Sequence, residues 1–136
     1  MENKTNEIIK DFLIDKLDPS FILIFGSYAK GNQRDDSDID IAYYPNDSMS
    51  PSPYENFILA QELASILNKE IDLINARNAS TVFLAQIYTT GSLVYAEDEN
   101  FFKYQQMLAL SMYAKLNEER KEIVDRIEES GSIYEK

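Results

Sequence analysis

Two aspartates stand two positions apart, Asp38 and Asp40, in the alternating run Asp38-Ile39-Asp40-Ile41-Ala42-Tyr43. Residues i and i+2 of a strand point the same way, so this spacing sends both carboxylates to one face and Ile39 and Ile41 to the other. Two anions on one face repel, by about 1 kcal/mol at 4 Å even in water. A divalent cation relieves that repulsion, and carboxylate oxygens are the ligands Mg²⁺ prefers. Two such ions held by shared carboxylates is a usual arrangement for in-line displacement at phosphorus. Asp72 lies in a similar run, Glu70-Ile71-Asp72-Leu73-Ile74, opposite in facing to Ile71 and Leu73. If the two strands are neighbours, it completes a trio, either as a further metal ligand or as the base that takes a proton from an attacking hydroxyl.

A second feature precedes these acids. Phe21-Ile22-Leu23-Ile24-Phe25 is an unbroken apolar run that reads as a strand buried on both faces, and Gly26-Ser27 follows it directly. A Gly-Ser step between a strand and a short helix offers backbone N–H groups and a hydroxyl at a positive helix end, which suits a phosphate. Lys30 can neutralise phosphate charge there, or stand as an ordinary solvated lysine. Each feature alone has a bland explanation, as a turn, a solvated strand face or a surface acid. Their joint spacing is what gives them weight.

The remaining elements must position these groups. Apolar residues at Ile8, Ile9, Phe12, Leu13 and Leu17 predict an amphipathic helix over 2–17, ending before Pro19. Residues 31–37 are turn-like, and the Pro- and Ser-rich stretch 45–53 reads as a surface loop. A helix is expected over about 54–68, a strand over 70–74, a helix over 80–90 closed by Gly91, and a strand over 92–95. A long helix follows from about Glu99 to Glu128, with no Pro or Gly to interrupt it. The order α-β-β-α-β-α-β-α makes an α/β (α+β) domain: a small sheet of about four strands flanked by helices. In the last helix, Phe101, Tyr104, Leu108, Met112 and Leu116 form a stripe whose expected partner is the domain's own sheet. Its second half, from Asn117, is expected to face solvent or another chain. The division is residues 1–96 as core and 97–136 as a C-terminal helix and tail.

Composition narrows the chemistry further. The 136 residues hold no Cys and no His, which removes disulfides, thiolate or imidazole zinc sites, cysteine nucleophiles and Ser-His-Asp relays. With 13 basic and 24 acidic residues the chain carries a formal charge of −11, so a phosphate backbone repels it and no direct nucleic-acid binding is expected. The longest apolar run, Phe21 to Phe25, falls far short of the roughly 20 residues that span a bilayer. With no targeting signal in the polar N-terminus, the expected location is the cytoplasm, away from membranes.

Phe25-Gly26-Ser27-Tyr28-Ala29-Lys30-Gly31, then Ser37-Asp38-Ile39-Asp40-Ile41 after a short gap, with Asp72 on a later strand, resembles the core of the DNA polymerase β-like nucleotidyltransferases. The chain looks like their smallest members, the minimal nucleotidyltransferases, over roughly residues 8–96. That resemblance implies that Gly26 and Ser27 hold the triphosphate, with Lys30 as a further nucleotide contact. It implies that Asp38 and Asp40 hold two Mg²⁺, and that Asp72 acts as base or further ligand. The implied reaction is attack of a hydroxyl on the α-phosphate of ATP, releasing pyrophosphate. Members of this group commonly pair with small helical HEPN-domain RNase toxins, as antitoxins that transfer AMP to a toxin tyrosine, which implies a hetero-oligomer. Two other readings stand beside it: transfer to a small hydroxylated molecule such as an aminoglycoside, and neutralisation of a partner by contact alone.

Overall fold

The computed structural model describes residues 2–26, 38–46 and 50–129. Helix α1 (Glu2–Leu17) leads into strands β1 (Phe21–Phe25) and β2 (Ile39–Tyr44). Helix α2 (Pro53–Leu67), strand β3 (Ile71–Asn75), a 3-10 turn (Ala76–Asn78) and helix α3 (Thr81–Thr90) follow, then strand β4 (Ser92–Ala96) and helix α4 (Glu99–Glu129). The expected order therefore holds, with one unforeseen turn after β3.

The four strands form one mixed sheet in the order β3-β2-β1-β4. Strand β1 pairs antiparallel with both β2 and β4, whereas β2 and β3 run parallel. The all-apolar β1 sits in the interior of the sheet with all five residues buried, as its sequence demands. Strand β2 differs from expectation. Its alternation predicts one buried face, yet Ala42 is as buried as its neighbours Ile41 and Tyr43. A strand inside the sheet is covered by helices on both sides along most of its length, and only Asp40 and Tyr44 are left half-buried.

Those two coverings are distinct cores. On one face Ile22, Ile24, Ile39, Ile41 and Tyr43 pack with α1 through Ile9 and Leu13, and with α2 through Leu63. On the other, Phe21, Leu23, Phe25 and Ala42 pack with α3 through Ile87 and Tyr88, and with α4 through Phe102 and Ala109. Aromatic rings dominate this second core: Phe21 meets Phe102 edge-on with centroids 5.0 Å apart, and stacks on Tyr44 at 5.2 Å.

Helix α2 begins one residue earlier than expected because Pro53 fits the first helical position, where no N–H is needed. Ser52 and Glu55 form a reciprocal capping box there, with Ser52 Oγ accepting from Glu55 N at 3.1 Å. The expected stripe of α4 is met at its start and corrected beyond it. Phe101 packs on Phe21 and Tyr44 of the sheet as expected, but Tyr104, Leu108 and Met112 are exposed, and the helix turns Phe102 and Ala109 inward instead. The cause is the neighbour: α4 meets the sheet only through Phe101 and Phe102 at its start and shares its core with α3, which selects a different side of the helix. Among the described residues, no helix is long and apolar enough to cross a membrane.

Candidate active site

The acids sit at the end of the sheet where β1 finishes and β2 and β3 begin. Strand register brings Asp40 opposite Phe25 on one side and opposite Asp72 on the other. Cross-strand partners share a face, so the carboxylates of Asp40 and Asp72 leave the sheet together, on the side of the aromatic core. Asp38 stands immediately before β2 and is exposed, as is Asp72, while Asp40 is half-buried. The parallel β2–β3 pairing places Asp72 beside Asp40.

Gly26 belongs to the same place. It carries φ +77, in the left-handed region that side chains avoid, and a Cβ there would collide with Asp40 Oδ2. Glycine is thus required twice over, once for the backbone turn out of β1 and once to leave room for the carboxylate. Gly26 and Asp40, separated in sequence, become direct neighbours. Ser27 and Lys30 lie outside the described residues, as does the turn-like stretch 31–37.

The electrostatics are one-sided. Burial lifts the Asp40 carboxyl above its usual range, and the negative charges of Asp72 and Asp38 lift it further. All three influences disfavour the charged form, the condition that a bound cation reverses. Among the described residues, however, no three His, Cys, Asp or Glu side chains are grouped so as to hold a metal ion between them. Mg²⁺ does not demand such a cage, because it is usually held by one or two carboxylates together with substrate phosphates and water. The donor set at this sheet end, hard oxygens with excess negative charge beside a glycine, fits that mode.

Phe25 and Phe83 had no place in the sequence reading of the site. Phe25 lies in register with Asp40, and its ring packs edge-on against Phe83 of α3, centroids 5.7 Å apart. Phe25 is thus the apolar cross-strand neighbour of Asp40, held in place by Phe83. Nothing local in the sequence could have found Phe83, which is remote in the chain and reaches the sheet only through the packing of α3. A second unforeseen set stabilises the outer edge of β3. Asn56 of α2 donates from Nδ2 to the Leu73 carbonyl at 2.8 Å and accepts from the Tyr43 hydroxyl at 2.5 Å. This ties α2 to both strands that carry the acids.

Comparison with known proteins agrees with this geometry. Residues 7–100 match the family model for polymerase beta nucleotidyltransferases. The protein adenylyltransferase MntA of Shewanella oneidensis is 38% identical over 128 residues, spanning 93% of this chain and 86% of that protein. Among solved structures, a chain of a toxin–antitoxin complex with AMP-PNP superposes with a TM-score of 0.79 at 34% identity, covering 90% of this chain and 97% of that one. A chain from the complex of the tri-AMPylated Shewanella oneidensis HEPN toxin with its MNT antitoxin gives 0.77 at 31%, covering 93% and 98%. With matches of this extent over the sheet and its acids, the chain belongs to the polymerase β-like nucleotidyltransferase family.

Proposed function

We propose that this chain is a protein adenylyltransferase that serves as the antitoxin of a HEPN toxin, transferring AMP from ATP to a tyrosine hydroxyl of that partner. The observation that carries the reading is the registered pair Asp40–Asp72 with Gly26 against the Asp40 carboxylate, in a chain whose relatives include a protein adenylyltransferase and an antitoxin in complex with an AMPylated toxin.

Each residue has a task. Gly26, lacking a side chain, lets phosphate oxygens approach the backbone beside Asp40. Ser27 and Lys30 extend that phosphate contact. Asp38 and Asp40 would hold two Mg²⁺, which would offset phosphate charge and favour attack at the α-phosphorus. Asp72, exposed on the edge strand beside Asp40, takes the proton of the attacking hydroxyl. A bond then forms from the tyrosine oxygen to the α-phosphorus, and the bond to the β-phosphate oxygen breaks, releasing pyrophosphate. Positioning and electrostatics carry such a barrier without His or Cys. The work takes place in the cytoplasm, where ATP and a toxic RNase are both found.

The test is transfer from labelled ATP with Mg²⁺ to the purified HEPN protein encoded alongside this chain. Label on a partner tyrosine, lost with Asp38→Asn plus Asp40→Asn, is the expected result. Neutralisation that persists in that double variant without label would instead identify an antitoxin that works by contact alone.

A further inference from the structure

A cavity of about 400 Å³, within the range of ligand sites, lies beside the outer strand β3. It is lined by Pro53 and Asn56 of α2, Ile74 of the strand, Asn78 of the turn after it, and Ser80 and Phe83 at the head of α3. None of the described lining residues is charged, in a chain at −11. A phosphate or a metal ion finds no counter-charge there. A neutral group with a flat apolar body fits better.

Two contacts join this cavity to the acids. Asp72 is not part of the lining, but it precedes Ile74 by two residues and shares its face of β3. Two residues cover about 7 Å of strand, comparable to the length of a phenolic side chain. Phe83 packs edge-on against Phe25, centroids 5.7 Å apart, and Phe25 is the register partner of Asp40. The cavity therefore adjoins the acids on the β3 side.

The order of the strands says which neutral group enters. Gly26 ends β1, Asp40 lies on β2 and Asp72 on β3, and neighbouring strands are about 4.8 Å apart. With the triphosphate at Gly26 and its α-phosphorus at Asp40, in-line displacement sends pyrophosphate out on the β1 side. The attacking oxygen then comes from the β3 side. The adenine base, tethered to the α-phosphorus through ribose, must leave that line clear. Nor is the outer edge of β3 open to an added strand at Leu73, since Asn56 Nδ2 already donates to its carbonyl at 2.8 Å. An acceptor segment is held here by its side chain.

We propose that this cavity is the acceptor site and takes the ring of the tyrosine whose hydroxyl meets Asp72, so that Ile74, Asn78 and Phe83 select a phenol over an aliphatic hydroxyl. This rests on the reading of the chain as a protein adenylyltransferase, and adds what chooses the acceptor. A serine or threonine carries its hydroxyl next to its backbone. It cannot reach the acid and fill the cavity at once, and it forgoes the burial of a ring.

The test measures transfer from labelled ATP with Mg²⁺ to the purified HEPN protein, by the wild-type chain and by two variants. Asn78→Trp fills the cavity, and Ile74→Ala removes an apolar wall. Asn78 is exposed, so its variant keeps the fold, as far-UV circular dichroism checks, and it carries the test alone should Ile74→Ala unfold. The KM for the HEPN protein is expected to rise at least tenfold in Asn78→Trp and severalfold in Ile74→Ala. The KM for ATP, and the thermal shift on adding Mg²⁺ with a non-hydrolysable ATP analogue, stay at their wild-type values. An unchanged KM for the HEPN protein in Asn78→Trp, with its tyrosine still labelled, overturns the acceptor site and leaves the adenylyltransferase reading standing. A raised KM for ATP with a reduced thermal shift also overturns it, since the occupant is then the adenine base. So does wild-type label on a partner serine or threonine. Failure of the wild-type chain to label the HEPN protein at all removes the underlying reading, and the acceptor site with it.

Discussion

Asp40 is the residue on which most influences converge, because three act on it at once: burial, two like charges and a glycine backbone. Its raised pKa has a definite sign in stability. The native state holds the proton more tightly than the unfolded chain, so the stabilisation is fully present below the unfolded pKa and is lost as pH rises through the folded value. At neutral pH the ionised group is therefore a burden on the fold in the absence of cations. Asp40→Asn is expected to abolish transfer yet raise the melting temperature at pH 7, with the gain shrinking as the pH is lowered toward the carboxylate range. Solvent screening of a half-exposed group keeps the gain small, under about 1 kcal/mol. A melting temperature lowered at pH 7 would contradict the repulsion argument. Gly26→Ala tests the other half of the junction. A left-handed backbone costs a β-carbon about 1–2 kcal/mol, and the collision with Asp40 adds to it, so both stability and transfer should fall. Asp38 and Asp40 were legible as a pair from two-residue spacing alone. The approach of Asp40 to Gly26 was not, since it depends on the pairing of β1 with β2, which no local pattern specifies.

At the level of elements, the site rests on two strands that arrive from different parts of the chain and on the helix that clamps them. Asn56 spans this junction, satisfying the Leu73 carbonyl on the outer edge of β3 and the buried Tyr43 hydroxyl. Asn56→Ala leaves both groups without that partner and is expected to destabilise the protein by about 1–3 kcal/mol, read by urea unfolding. Tyr43 also marks the alkaline limit of the fold. Burial pushes its phenol up to about 12, only partly offset by the polar Asn75 side chain. Because the unfolded phenol ionises near its ordinary value of 10.0, stability contributed by the neutral buried form is complete below that pH and disappears as pH rises toward 12. Phenolate absorbance should therefore show Tyr43 ionising together with unfolding. In Tyr43→Phe, the alkaline transition should move to higher pH. The elements themselves were readable because each depends on neighbours in sequence: period two for β2 and β3, a continuous apolar run for β1, three- and four-residue apolar spacing for α1. Burial of Ala42 and the rotation of α4 were not readable, because both depend on which helix lies across which face.

For the molecule as a whole, the decisive balance is its negative charge. A chain at −11 with its acids gathered at one sheet end and along α4 is poised for cations and for basic protein surfaces. Ligands that bind only the native state stabilise it in proportion to the logarithm of their concentration over Kd. Mg²⁺ with a non-hydrolysable ATP analogue should accordingly raise the melting temperature, by the equivalent of about 2.7 kcal/mol at a hundredfold excess over Kd. The effect should vanish in Asp38→Asn plus Asp40→Asn. An unchanged wild-type melting curve under those conditions would remove the nucleotide site.

The amino-acid string alone determined the periodicities, the caps, the missing His and Cys, and thus the kind of chemistry open to this protein. Those properties arise from groups a few bonds apart, whose relative directions are set by backbone geometry. Tertiary structure decided that β2 and β3 lie side by side in parallel with Asp40 opposite Asp72, and that Gly26 makes room for a carboxylate. It also decided that α4 turns Phe102 rather than Tyr104 inward. Each of these joins residues that only the packing of two hydrophobic faces brings together, and such packing is a property of the assembled sheet and its helices.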